Sequence, residues 1–96
     1  MKIIGILGST GSIGTQLLDI IDENNLYQIE YLSANNNINL LAEQALKFSP
    51  NKVCIADRSL EKSLVSKLKG TNIEILSGED GIRELSSDRS CNLMVN

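Results

Sequence analysis

Gly8, Gly11 and Gly14 recur at every third position in the stretch Gly8-Ser9-Thr10-Gly11-Ser12-Ile13-Gly14. Such a turn can hold a phosphate through backbone N–H groups, and each glycine has its own reason. Gly8 lets the chain turn sharply, Gly11 lets the backbone approach a phosphate with no Cβ in the way, and Gly14 permits close packing of a following helix. The free N–H groups of that helix, with its dipole, would face the anion. Thr10 and Ser12 add hydroxyl donors. The spacing is GxxGxxG rather than GxGxxG, and glycine triplets also occur in turns that bind nothing, so the flanking elements decide the reading.

A second group of candidate residues, Asn35, Asn36 and Asn37, follows the run Tyr27 to Ala34. At the end of the second strand of a dinucleotide-binding unit, an Asp or Glu commonly takes the ribose 2'-OH of NAD. Three neutral amides stand there instead, so no carboxylate repels a 2'-phosphate and NADP is favoured. Asn37 also reads as the cap of the next helix, a role compatible with the first. Asp57, Glu79, Asp80 and Asp88 fall at strand ends or helix starts, where acids are ordinary caps. Lys62, Lys67 and Lys69 fit a solvated helix face, while Tyr27, Tyr31 and Phe48 fit packing positions. The chain contains no His, which removes His-based triads and His metal sites. Cys54 and Cys91 match no zinc or redox spacing and are expected to be buried free thiols.

The elements that must position these residues are legible from hydropathy. Lys2 to Leu7 (KIIGIL) is a nearly continuous apolar run, as in a central parallel strand covered on both faces. From Ser12 to Asp22, Ile13, Leu17, Leu18, Ile20 and Ile21 recur at helical spacing. Tyr27 to Ala34 reads as a second strand. Leu40, Leu41, Gln44, Ala45 and Phe48 mark a second helix closed by Pro50. Lys52 to Ala56 predicts a third strand and Ser59 to Lys69 a helix with Ser59 as N-cap and Gly70 at its end. Asn72 to Leu76, a weaker helix from Glu79 to Leu85, and Cys91 to Val95 complete the series. Strand and helix alternate throughout, which predicts βαβ crossovers and a parallel sheet of about five strands, of Rossmann type.

With 96 residues, 42% hydrophobic and 22% charged, the chain has the composition of one small globular domain. A net charge of -3, with nine scattered Lys and Arg, argues against a nucleic-acid surface. No apolar run approaches the roughly 20 residues that span a bilayer, and Met1-Lys2 leads straight into the strand rather than into a signal peptide. A cytoplasmic location is expected. Asn96 falls at the end of an apolar strand with no turn after it, so the chain reads as the amino-terminal piece of something longer.

The stretch from Ile6 to Gly14, followed by Leu18-Asp19-Ile20, resembles the amino terminus of the 1-deoxy-D-xylulose 5-phosphate reductoisomerase family. Ala42-Glu43-Gln44 leading to Phe48-Ser49-Pro50, the strand end Ile75-Leu76-Ser77-Gly78, and Asn92-Leu93-Met94-Val95-Asn96 extend the likeness along the whole chain. The glycine motif is shared in part with semialdehyde dehydrogenases and extended short-chain reductases, which favour Gly-Ala-Thr-Gly. The Ser9 and Ser12 form, together with Phe48-Ser49-Pro50, is more specific.

The resemblance implies an NADPH-binding Rossmann domain over residues 1–96, truncated before the catalytic and carboxy-terminal domains. It implies an enzyme that rearranges 1-deoxy-D-xylulose 5-phosphate with the help of Mg or Mn, then reduces the product to 2-C-methyl-D-erythritol 4-phosphate for isoprenoid synthesis. By similarity Gly8, Thr10, Gly11, Ser12 and Ile13 hold the pyrophosphate of NADPH, and Asn35, Asn36 and Asn37 lie near the adenosine ribose phosphate. Asn36 replaces a lysine of the common family form, which weakens charge pairing there; Arg58, after the third strand, is a partial substitute. The catalytic residues, metal ligands and sugar-phosphate contacts are expected beyond Asn96, so these 96 residues alone are expected to be inactive. A homodimer, with no nucleic-acid or membrane partner, completes the expectation. Another NADP-dependent reductase, such as a semialdehyde dehydrogenase, or a non-catalytic nucleotide-binding module, remains compatible with the first unit.

Overall fold

A computed structural model describes residues 2–95; Met1 and Asn96, where the reading of the chain's end falls, lie outside them. The element order is β1 (Lys2–Ile6), α1 (Ser12–Asn24), β2 (Tyr27–Ala34), α2 (Ile38–Phe48), β3 (Lys52–Ile55), a 3-10 turn (Arg58–Leu60), α3 (Glu61–Lys67), β4 (Glu74–Ser77), α4 (Gly78–Ser86) and β5 (Leu93–Val95). All strand pairs are parallel, in the order β4-β3-β2-β1-β5. The expected alternation therefore holds. The chain steps outward from β1 through β2, β3 and β4, then returns to the other flank of β1 with β5.

Burial explains why β2 is central. Its last six residues, Ile29 to Ala34, are all buried, as expected of a strand with helices above and below. One face of the sheet carries the larger core: Ile4 and Ile6 of β1 and Leu32 of β2 pack with Leu18 and Ile21 of α1, Leu41 and Ala45 of α2, and Leu64 of α3. The opposite face is smaller, with Tyr31 and Cys54 packed against Leu85 and Ile82 of α4. Gly5 belongs to this face; a Cβ there would overlap the Tyr31 ring.

Tyr31 is fully buried, and its hydroxyl has no hydrogen-bond partner. Burial, helped by nearby Cys91 and Asp88, pushes that phenol up to about 12. An unpaired buried hydroxyl loses its hydration without recompense, so Tyr31→Phe is expected to raise stability by about 1 kcal/mol. A melting temperature at or below that of the unmodified chain would contradict this.

Several local readings need correction. On α1 the buried stripe is Gly14, Leu18 and Ile21, whereas Ile13 and Ile20, seven residues apart on one face, are 72% and 54% exposed. The helix predicted from Ser59 starts differently: Asp57, not Ser59, is the capping residue, its Oδ1 accepting from Ser59 N at 3.1 Å and Ser59 Oγ at 2.6 Å. That short loop tightens the first turn into 3-10 form, and α3 proper begins at Glu61. Cys54 is a buried free thiol, raised to about 11 by burial and by Glu84. Cys91 is also free but only half-buried, because it precedes an edge strand.

Among the described residues no helix is long and apolar enough to cross a membrane. A partly buried ion pair, Lys52 to Asp88 at 3.3 Å, ties β3 to the loop before β5. The Ser90 hydroxyl and N–H, with Lys52, hold the Asp88 carboxyl below its ordinary value against the opposing effect of burial.

Candidate nucleotide-binding site

The glycine turn leaves β1 at the carboxyl edge of the sheet. Gly8 has φ +72, which the left-handed bend requires, and the turn closes with Gly11 N–H donating to Gly8 O at 3.1 Å. Gly11 is then the N-cap of α1 in extended geometry, with no side-chain cap. The first bond of the helix runs from Thr15 N to Gly11 O, so the N–H groups of Ser12, Ile13 and Gly14 are not used by the helix.

No acidic residue stands in the first turn of α1. The other three helices of the described residues differ: α2 is capped by Asn37, α3 carries Glu61, and α4 carries Glu79 and Asp80. Only α1 thus presents its positive end without a capping side chain or an acid to neutralise it.

Gly14 fulfils its packing role. A Cβ there would lie 2.6 Å from Gly8 O and 2.7 Å from Ser9 Cα, so the helix meets the turn backbone to backbone. Gly11 is different, since a Cβ there would find only Gly8 O, at 3.4 Å. Its missing side chain leaves space in the cleft rather than inside the protein.

That cleft has a volume of about 220 Å³ and is lined by Ile6, Leu7, Gly8, Gly11, Ser12, Ile13, Gly14 and Val95. It opens between β1 and β5, where the chain reverses its direction of travel across the sheet. Ligands of open parallel sheets bind at this crevice, outside the carboxyl ends of the strands. Thr10 is half-buried beside it, while Gly8, Gly11, Ser12 and Ile13 are exposed.

Asn35, Asn36 and Asn37 lie exposed at the same edge, directly after β2. Their backbone is fixed: Asn35 O accepts from Asp57 N–H and Asn36 O from Ile38 N–H, each at 2.9 Å. Asn37 Oδ1 accepts from Leu40 N–H at 3.3 Å and so caps α2. Both amide side chains of Asn35 and Asn36 remain exposed to solvent. Arg58 is exposed as well, with its guanidinium against Gly78 and 3.8 Å from Asp80.

Three polar residues behind the turn were not singled out from the sequence as site residues. Ser9, Ser33 and Gln44 are buried together and join the turn to β2 and α2. The available signal was Gln44 itself, a polar residue within an otherwise apolar helical stripe.

No group of three or more metal-ligating side chains occurs among the described residues. The arrangement suits the binding of a diphosphate. A parallel sheet with a glycine turn at its switch point defines a Rossmann-type domain.

The family model of 1-deoxy-D-xylulose 5-phosphate reductoisomerase matches residues 4–96, and the chain belongs to that family. The reductoisomerase of Chloroherpeton thalassium is 53% identical over 87 residues, covering 90% of this chain and 22% of that protein. Among solved structures, the reductoisomerase from Zymomonas mobilis in complex with NADPH matches with a TM-score of 0.92 and 34% identity, over 97% of this chain and 24% of that one. A reductoisomerase in complex with NADPH, fosmidomycin and magnesium gives a TM-score of 0.92 at 33% identity, over 98% of this chain and 24% of that one. The chain therefore spans about a quarter of the length of these relatives.

Proposed function

We propose that residues 1–96 are the NADPH-holding end of an enzyme that converts 1-deoxy-D-xylulose 5-phosphate to 2-C-methyl-D-erythritol 4-phosphate. The observation that carries this reading is the uncapped, acid-free start of α1 opening on the cleft between β1 and β5, in a family with a relative solved in complex with NADPH.

The N–H groups of Ser12, Ile13 and Gly14 donate to the pyrophosphate, Gly8 and Gly11 leave it room, and Thr10 and Ser12 offer hydroxyls. The exposed side chain of Ile13 gives the mouth of the cleft an apolar wall. Asn35, Asn36 and Asn37 face the 2'-phosphate end, where the absence of a carboxylate favours NADP over NAD. The cofactor supplies the hydride; these residues bind and orient it. The metal, Mg or Mn, and the sugar phosphate are held outside this stretch. Pairing of two copies and a cytoplasmic location belong to the same proposal and rest on family membership.

Calorimetric titration of the full chain with NADPH, NADH and ATP tests the reading. NADPH is expected to bind, with an affinity at least about tenfold above that for NADH, from the neutral asparagine run alone. A non-catalytic structural module would bind none of the three, and equal affinity for NADPH and NADH would remove the assignment of Asn35, Asn36 and Asn37.

A further inference from the structure

We propose that Gln44 is a positioning residue that holds the glycine turn in its phosphate-accepting shape through Ser9, with Ser33 as the third member of the clamp; this rests on the cofactor reading above. None of the three side chains lines the cleft. Each is nonetheless buried, Ser9 at 0% and Gln44 at 6% exposure.

The hydrogen bonds form a closed set. Gln44 Nε2 donates to Ser9 O at 2.9 Å, and Ser9 Oγ donates to Gln44 Oε1 at 2.7 Å, so one amide grips both the backbone and the side chain of one residue. The orientation of the amide follows from chemistry, because a carbonyl oxygen only accepts and Nε2 must face it. From β2, Ser33 O accepts Ser9 N–H at 2.8 Å and Ser33 Oγ accepts Gly8 N–H at 3.0 Å. Ser9 Oγ also lies 3.2 Å from Ser33 O, a secondary acceptor for the same hydroxyl.

Two consequences follow from this wiring. The peptide groups of Gly8 and Ser9 are held from behind, so the rest of the turn is fixed before any ligand arrives. The bonds also link the pyrophosphate-binding turn to the two elements flanking Asn35, Asn36 and Asn37. The spacing between the two halves of the nucleotide site is thereby set by α2 and β2. A site whose donors are already in place loses less freedom on binding. A Leu at position 44 would match the volume of Gln but leave Ser9 O with no partner, and the turn would relax toward solvent to recover one.

The test compares the full chain with its Gln44→Leu and Ser33→Ala variants, the second being the milder change should the first fail to fold. NADPH affinity, adenosine 2'-monophosphate affinity and amide hydrogen exchange are measured on each. Gln44→Leu removes two buried hydrogen bonds, of which only the Ser9 hydroxyl has a second acceptor, in Ser33 O; NADPH is expected to bind about tenfold more weakly. Adenosine 2'-monophosphate, which has no pyrophosphate to reach the turn, should change less than about twofold. Exchange should quicken at Gly8, Ser9 and Gly11, whose N–H groups are hydrogen-bonded in the turn, and stay unchanged in β3 and β4. Ser33→Ala should shift the same quantities in the same direction by a smaller factor. Unaltered exchange at Gly8, Ser9 and Gly11 would overturn the clamp, and so would an equal loss of affinity for both nucleotides, which marks general loosening. Failure of the unmodified chain to bind NADPH would instead overturn the cofactor reading, and the exchange measurement would then decide the clamp alone.

Discussion

Gly11→Val is expected to weaken NADPH binding by about 100-fold or more, equivalent to about 2.7 kcal/mol, while leaving the fold almost as stable as before. The two halves of this expectation come from different observations. Gly11 has φ -77 and ψ 175, ordinary extended backbone that valine adopts without strain. A Cβ at this position would meet only Gly8 O, at 3.4 Å, so the protein itself makes room for the added carbon. The remaining structural cost is a poorer N-cap, about 1 kcal/mol at most.

Yet Gly11 lines the cleft, and every atom added there projects into the space assigned to the pyrophosphate. Melting temperature and NADPH affinity measured on the same samples separate the two effects. A variant with normal affinity would refute the placement of the pyrophosphate, and a variant that fails to fold would show that Gly11 is needed by the protein rather than by its ligand.

Gly14→Ala is expected to lower stability and affinity together. A Cβ at this position comes within 2.6 to 2.8 Å of Gly8 O and the Ser9 backbone, and backbone atoms cannot rotate aside as a side chain would. Alanine favours helix over glycine by about 1 kcal/mol, which offsets part of an overpacking cost of about 3 kcal/mol. The net loss of about 2 kcal/mol should lower the melting temperature by roughly 8 to 16 °C for a domain of this size. NADPH affinity falls too, since α1 must tilt away from the turn to relieve the contact. An unchanged melting temperature would show that helix and turn are less tightly apposed than the structure has them.

The contrast between these glycines measures how much could be read from residues alone. Their spacing between a buried strand and a helix identified the turn, and the separate reasons for Gly11 and Gly14 follow from chemistry that any such turn must obey. Alternation of strand and helix likewise predicted the parallel sheet, because each crossover needs its own segment. The order of strands was not legible: nothing in Leu93-Met94-Val95 says that this strand returns beside β1, and that return creates the cleft.

Which apolar face of α1 is buried was not legible, for a related reason. Helical spacing groups apolar residues into faces, but it does not say which face is covered when two faces compete; Leu18 and Ile21 won the core, and Ile13 went to the cleft. Gln44 was visible as a polar intruder on an apolar stripe, but its partner Ser9 lies 35 residues away, a separation that only the folded chain closes. The capping role of Asn37 was legible, since a cap is a local event.

The short β5 has a mechanical meaning as well. It lies parallel to β1 through three residue pairs, Ile4 with Leu93, Gly5 with Met94 and Ile6 with Val95. A pull that draws the start of β1 and the end of β5 apart slides these neighbours along each other and loads their cross-links together, like a lap joint, instead of peeling them one by one. Val95 is also a wall of the cleft, so the seam that carries such a load is the seam along which the cleft opens.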